Sequence, residues 1–100
     1  MVKHVILWQL KAELDENQKI EVKKNIKIGL EELIDKIDGL AEIKVYTEGL
    51  ESSNADVMLY SVFESEAALK GYAVHPEHVF VADTKVRPYT KTRLCLDFKD

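Results

Sequence analysis

A chain of 100 residues makes one domain, near the commonest domain size and able to bury a modest core. Its 46% apolar and 32% charged residues describe an ordinary soluble globular protein, and 14 basic against 18 acidic residues leave a net charge of −4. No basic cluster interleaves with aromatics, which argues against nucleic acid as a partner. The longest apolar run, Val5-Ile6-Leu7-Trp8, is too short to cross a bilayer, and the N-terminal apolar segment is too short for a signal peptide. Cys95 is the only cysteine, so no intrachain disulfide forms and a reducing cytoplasm is the expected location.

In chain order the pattern reads strand, helix, strand, strand, helix, strand. Val2 to Leu10 is apolar at almost every position, which predicts a strand buried on both faces. Asp15-Glu16-Asn17-Gln18 starts a helix with acidic residues at its positive end. Val22, Ile26, Leu30, Leu33 and Ile37 then recur at helical spacing, with Lys23, Lys24, Lys27, Glu31, Glu32 and Lys36 on the solvated face. Gly39 is placed to end that helix. Gly29 within it costs about 1 kcal/mol relative to alanine, and either close packing or a weaker helix accounts for its presence.

Glu42 to Glu48 reads as a second strand, Gly49 to Ala55 as a polar loop, and Asp56 to Phe63 as a third strand. Ser65-Glu66 caps a short helix through Tyr72. Pro76 suits the first turn of another, which ends before Pro88. His75 therefore falls at a cap and His78 in a first turn, so a phenol and an imidazole converge on one small space. Thr90 to Phe98 is the last strand, in which Cys95 reads as a packed thiol.

Strand parity decides how these elements assemble. Four strands and two helical segments make a two-layer α+β domain with helices on one sheet face. Both sheet faces nevertheless carry large apolar side chains. A monomer would leave one apolar face wet beyond the few hundred Å² usually tolerated, so the economical solution is a homodimer packed sheet to sheet.

The opening Val2-Lys3-His4-Val5-Ile6-Leu7, the run Phe63-Glu64-Ser65-Glu66-Ala67-Ala68-Leu69 with Tyr72 and His75-Pro76-Glu77-His78, and the closing Arg87-Pro88 and Leu96-Asp97-Phe98 resemble the stress-responsive α/β-barrel (Dabb) domain family. The resemblance covers essentially the whole chain, and the His-Pro-x-His signature is its most specific part. It implies a ferredoxin-like βαββαβ unit with a four-stranded antiparallel sheet that pairs with a second copy into a dimeric α/β barrel, with a cavity between the sheet's other face and the helices. Under that architecture Val5, Leu7, Tyr60, Val62, Leu94, Leu96 and Phe98 lie inside the dimer. His4, Ile6, Trp8, Cys95 and Asp97 face the cavity, which His75 and Phe80 are also expected to line.

The constellation is similar to that of the family's plant polyketide cyclase branch, which closes a ring by aldol condensation without a cofactor. That likeness makes His78 the general base, Tyr72 the oxyanion donor and His4 a cavity residue, with Asp97 holding the His4 tautomer. Ile26 and Val57 stand where that branch carries polar pocket residues, and Trp8 puts an indole where it keeps room. A smaller, drier cavity follows. The primary expectation is thus a homodimer whose cavity binds a small apolar or phenolic molecule. The alternative is a cofactor-free enzyme of cyclase or quinol-monooxygenase type. A cavity of about 300 Å³ or more would favour binding or catalysis, whereas filling by Trp8 and Phe80 would favour a structural role. His75 and His78, three apart, lack a third ligand, so no metal site and no cofactor is read from the sequence.

Overall fold

The computed structural model describes residues 1–100. Strand β1 (Val2–Leu10) is followed by helix α1 (Glu16–Glu31), strands β2 (Leu40–Tyr46) and β3 (Val57–Phe63), helices α2 (Glu66–Val74) and α3 (Pro76–Val81), and strand β4 (Thr90–Lys99). The four strands form one antiparallel sheet in the order β2-β3-β1-β4, the ferredoxin-like arrangement that the family resemblance implies.

Local chemistry explains the helix starts. Asp15 caps α1 with a reciprocal pair, its carboxylate accepting from the Gln18 N–H while the Gln18 side chain accepts from the Asp15 N–H. Ser65 caps α2 through the Ala68 N–H, and Pro76 opens α3. Val22, Ile26 and Leu30 of α1 enter the core with Leu33 and Ile37 beyond it. The helix does not run on to Ile37. It tightens into a 3₁₀ turn over Glu32–Asp35, and Gly39 turns the chain at φ +83°, a conformation open to glycine. The tight turn brings Leu40 straight into the sheet opposite Phe63, so β2 starts two residues earlier than expected.

After α3 the helix widens into a π-helical turn over Ala82–Val86 and closes with a 3₁₀ turn over Arg87–Tyr89 that contains Pro88. Gly29 is explained by close packing: a Cβ there would meet Val81 Cγ1 at 2.9 Å. The glycine lets α1 and α3 approach.

Strand β1 is not buried on both faces within one chain. Its even positions, Val2, His4, Ile6, Trp8 and Leu10, are buried beneath the helices, while the odd positions are half-buried. Register places Val5 between Tyr60 and Leu96, and Leu7 between Met58 and Leu94, on the face no helix covers. There Leu94 and Leu96 are 63% and 65% exposed. Val62, expected inside a dimer, is already buried within the chain.

One edge of the sheet is occupied by side chains. The Glu31 carboxylate accepts from the Val45 N–H at 2.8 Å, and Lys27 Nζ donates to the Val45 carbonyl at 2.8 Å and to Glu31 at 2.9 Å.

Candidate functional site between sheet and helices

Under the helices lies a cavity of about 120 Å³, walled by Ile6 and Trp8 of β1, Leu30 of α1 and Leu59 of β3, with Tyr72 and His78 from the α2–α3 corner. His4 also reaches it. The proline at the first position of α3 makes the corner sharp: Tyr72 lies in the last turn of α2, which runs on to Val74, His75 is the hinge, and His78 completes the first turn of α3. The Tyr72 and His78 rings lie against each other, with centroids 4.1 Å apart and planes at 33°.

Tyr72 is 1% exposed, and its hydroxyl has no hydrogen-bond partner. Burial pushes its pKa well above the usual range of a phenol, so the group stays a neutral donor. For His78, burial is the largest influence and lowers the pKa, opposed by a hydrogen bond to the Ala73 carbonyl. Nδ1 lies 3.4 Å from that oxygen, a long contact in which the ring N–H donates. Nε2 is then the lone-pair nitrogen. A neutral imidazole and a neutral phenol thus stand side by side.

His4 is buried on β1 and directly opposite Asp97 on β4, and its Nδ1 is hydrogen bonded to the Asp97 carboxylate. Its ring meets Phe63 and Tyr72 edge-on, with centroids at 6.2 and 6.0 Å, and the Ser61 hydroxyl donates to its backbone carbonyl at 3.1 Å. Asp97 itself is exposed. It borders not the inner cavity but an adjoining open groove of about 570 Å³ between α2 and β4, whose wall His4, Leu69, Ala73 and Arg93 share with the cavity. Cys95 is likewise exposed at the groove and not the packed thiol expected of it.

Two expected cavity residues stand elsewhere. Phe80 is 63% exposed and absent from the wall, because two residues along a helix from His78 is about 200° of rotation. His75 also misses the cavity. Its Nδ1 accepts from the Glu77 N–H at 3.1 Å, a cap for α3. Three polar wall residues escaped the sequence reading, namely Arg87, Thr90 and Arg93. Arg93 shares strand parity with Cys95 and Asp97, so its direction was available in the alternation of β4. Arg87 and Thr90 follow an irregular turn that leaves no periodic signal.

A ferredoxin-like α+β domain with a sheet–helix cavity and a His-Pro-x-His corner defines the class. The stress-responsive A/B barrel domain model matches residues 2–100, and the chain belongs to that family. Among solved structures, a dimeric protein of unknown function with a ferredoxin-like fold from Bacteroides fragilis is 29% identical, covering 99% of this chain and 95% of its own, with a TM-score of 0.93. A Dabb family protein from Mesorhizobium loti is 16% identical over 99% of this chain and 95% of its own, at a TM-score of 0.78. The hydroxynitrile lyase from Passiflora edulis is 18% identical over 97% of this chain and 90% of its own, at 0.72. The last two show the fold alone. No protein of curated function matches the chain. No helix is long and apolar enough to cross a membrane.

Proposed function

We propose that this protein works as a homodimer, in a reducing cytoplasm, and binds a small apolar or phenolic molecule in the cavity between sheet and helices. The carrying observation is the Tyr72 hydroxyl, a buried donor without a partner in an otherwise largely apolar wall. Leaving such a group unpaired costs about 1–3 kcal/mol, a cost that a ligand oxygen would remove. At about 120 Å³ the cavity is below the 300–1,000 Å³ of drug-sized sites, so the ligand is small or extends into the groove. Trp8 narrows the space, while Phe80 takes no part in filling it.

The neutral state of His78 supports a second reading, a cofactor-free enzyme of aldol-cyclase or quinol-monooxygenase type. In it His78 removes a proton from a carbon or hydroxyl acid, and Tyr72 donates to the enolate or phenolate oxygen that forms. His4, held by Asp97, orients a polar group at the opposite wall.

The test is a thermal-shift and calorimetric screen of phenols and small ketones on wild type, Tyr72→Phe and Trp8→Leu. A phenol should bind wild type at least about tenfold more tightly than Tyr72→Phe, the worth of one good hydrogen bond. Tyr72→Phe should itself gain about 1 kcal/mol of stability in urea, because the orphan hydroxyl is gone. Trp8→Leu should accept bulkier rings. Equal binding to wild type and Tyr72→Phe across the screen removes the ligand reading. Undiminished turnover in His78→Ala removes the enzymatic one.

A further inference from the structure

Away from the Tyr72–His78 corner, three side chains with ligand atoms converge at the mouth of the groove. His4 Nδ1, Cys95 Sγ and an Asp97 carboxylate oxygen all lie within 4.8 Å of one another. We propose that His4, Cys95 and Asp97 form a binding site for a divalent, thiolate-seeking metal ion of the zinc type, with its fourth coordination position open to the groove.

The backbone sets this convergence. His4 pairs directly with Asp97 across β1 and β4, and Cys95 sits two residues back on the same face, opposite Ile6. Direct and diagonal neighbours on one face of a paired strand are the closest side chains a sheet offers. The donor set is one sulfur, one imidazole nitrogen and one carboxylate oxygen. All three are zinc ligands, and the thiolate disfavours magnesium and calcium, which take oxygen. Three protein ligands and one open position is the pattern of zinc sites that bind a water or a further ligand.

Two of the three edges stand close to that coordination. With metal–ligand bonds of about 2.0–2.3 Å, neighbouring ligand atoms of a tetrahedral site lie roughly 3.3–3.8 Å apart. Cys95 Sγ stands 3.9 Å from His4 Nδ1 and 3.5 Å from Asp97 Oδ1. The remaining edge, His4 to Asp97, is closed by a hydrogen bond and opens by rotation of the Asp97 side chain, which is 42% exposed. His4 needs no such movement, since Phe63 and Tyr72 hold its ring edge-on.

The proton count is also simple. An imidazole N–H and a thiol both donate to the same Asp97 oxygen. A divalent ion displaces the thiol proton, which leaves to solvent, while the imidazole proton moves from Nδ1 to Nε2; the ion then bonds to Nδ1, thiolate sulfur and carboxylate oxygen. The adjoining groove of about 570 Å³ gives the ion an entry path. The site uses neither the Tyr72 hydroxyl nor His78, so it stands whether or not the cavity binds a phenol.

The experiment titrates the chelator-treated full chain with Co²⁺ and then Zn²⁺. One Co²⁺ per chain should bind with a thiolate-to-cobalt absorption band in the near ultraviolet, and Zn²⁺ should bleach it. Cys95→Ser should lose the band, and Asp97→Asn should weaken Zn²⁺ binding at least about tenfold. His75→Gln should change neither. Circular dichroism controls for folding, which substitutions at two exposed positions of β4 should preserve. The absence of a thiolate band in wild type overturns the site, as does Zn²⁺ affinity unaltered in both β4 variants or diminished in His75→Gln.

Discussion

His78 carries a titration that the cavity governs. Burial disfavours its charged form and pulls its pKa below the usual 6.5, although the Ala73 carbonyl opposes the shift. Between the depressed folded value and 6.5 the unfolded chain binds more protons than the folded one. Stability therefore rises with pH through that window and is lost as pH falls through it. Urea denaturation should show wild type less stable at about pH 5.5 than at about pH 7.5, and His78→Gln should shrink that difference. An unchanged difference would mean that His78 titrates as freely in the fold as outside it. The residues of this corner were legible because Pro76 fixes where a helix begins, and counting from it places Tyr72, His75 and His78. Phe80 and His75 were misjudged for the same reason. Proximity in sequence to His78 says nothing about azimuth around a helix, and a histidine before a proline has the backbone itself as a competing partner.

Between elements, α1 approaches α3 closely at Gly29. Alanine there would improve helix propensity by about 1 kcal/mol, yet its Cβ would meet Val81 Cγ1 at 2.9 Å. Overpacking of this kind costs about 1–3 kcal/mol, and a β-branched valine has little freedom to swing aside. Gly29→Ala should therefore leave the protein up to about 2 kcal/mol less stable in urea, and adding Val81→Ala should recover part of the loss. A net gain from Gly29→Ala alone would show that the helices can slide apart. The sequence left two readings of this glycine open, because a packing partner more than 50 residues downstream is invisible to helical periodicity. Periodicity did place Val22, Ile26, Leu30, Leu33 and Ile37 on the buried face, all of them buried in the fold. It could not show that Leu33 and Ile37 lie past the end of α1, since a 3₁₀ turn keeps nearly the same side buried.

For the whole molecule, the uncovered sheet face decides the outcome. Leu94, Leu96 and Phe98 of β4 stand beside Val5, Leu7, Met58 and Tyr60, with Leu94 and Leu96 more than 60% exposed. The same face is visible in the alternation of the strand sequences alone, because a period of two assigns every side chain to one side or the other. Sedimentation should report twice the chain mass for wild type at micromolar concentration, and Leu96→Lys should shift it to the monomer. A wild-type monomer under those conditions would refute the homodimer.

The proposed association through a face rather than an edge leaves the two sheet margins free, and the first of them is guarded at Val45. With its N–H and carbonyl engaged by Glu31 and Lys27, Val45 near the end of β2 is a ladder position closed to an incoming strand. The opposite margin, β4, bears Lys91, Arg93 and Lys99, charges that resist stacking against another chain. Growth by successive strand addition, the route to fibres, is thus disfavoured at both margins. A protein that leaves several large apolar side chains in water can accumulate as a finite particle instead of polymerising.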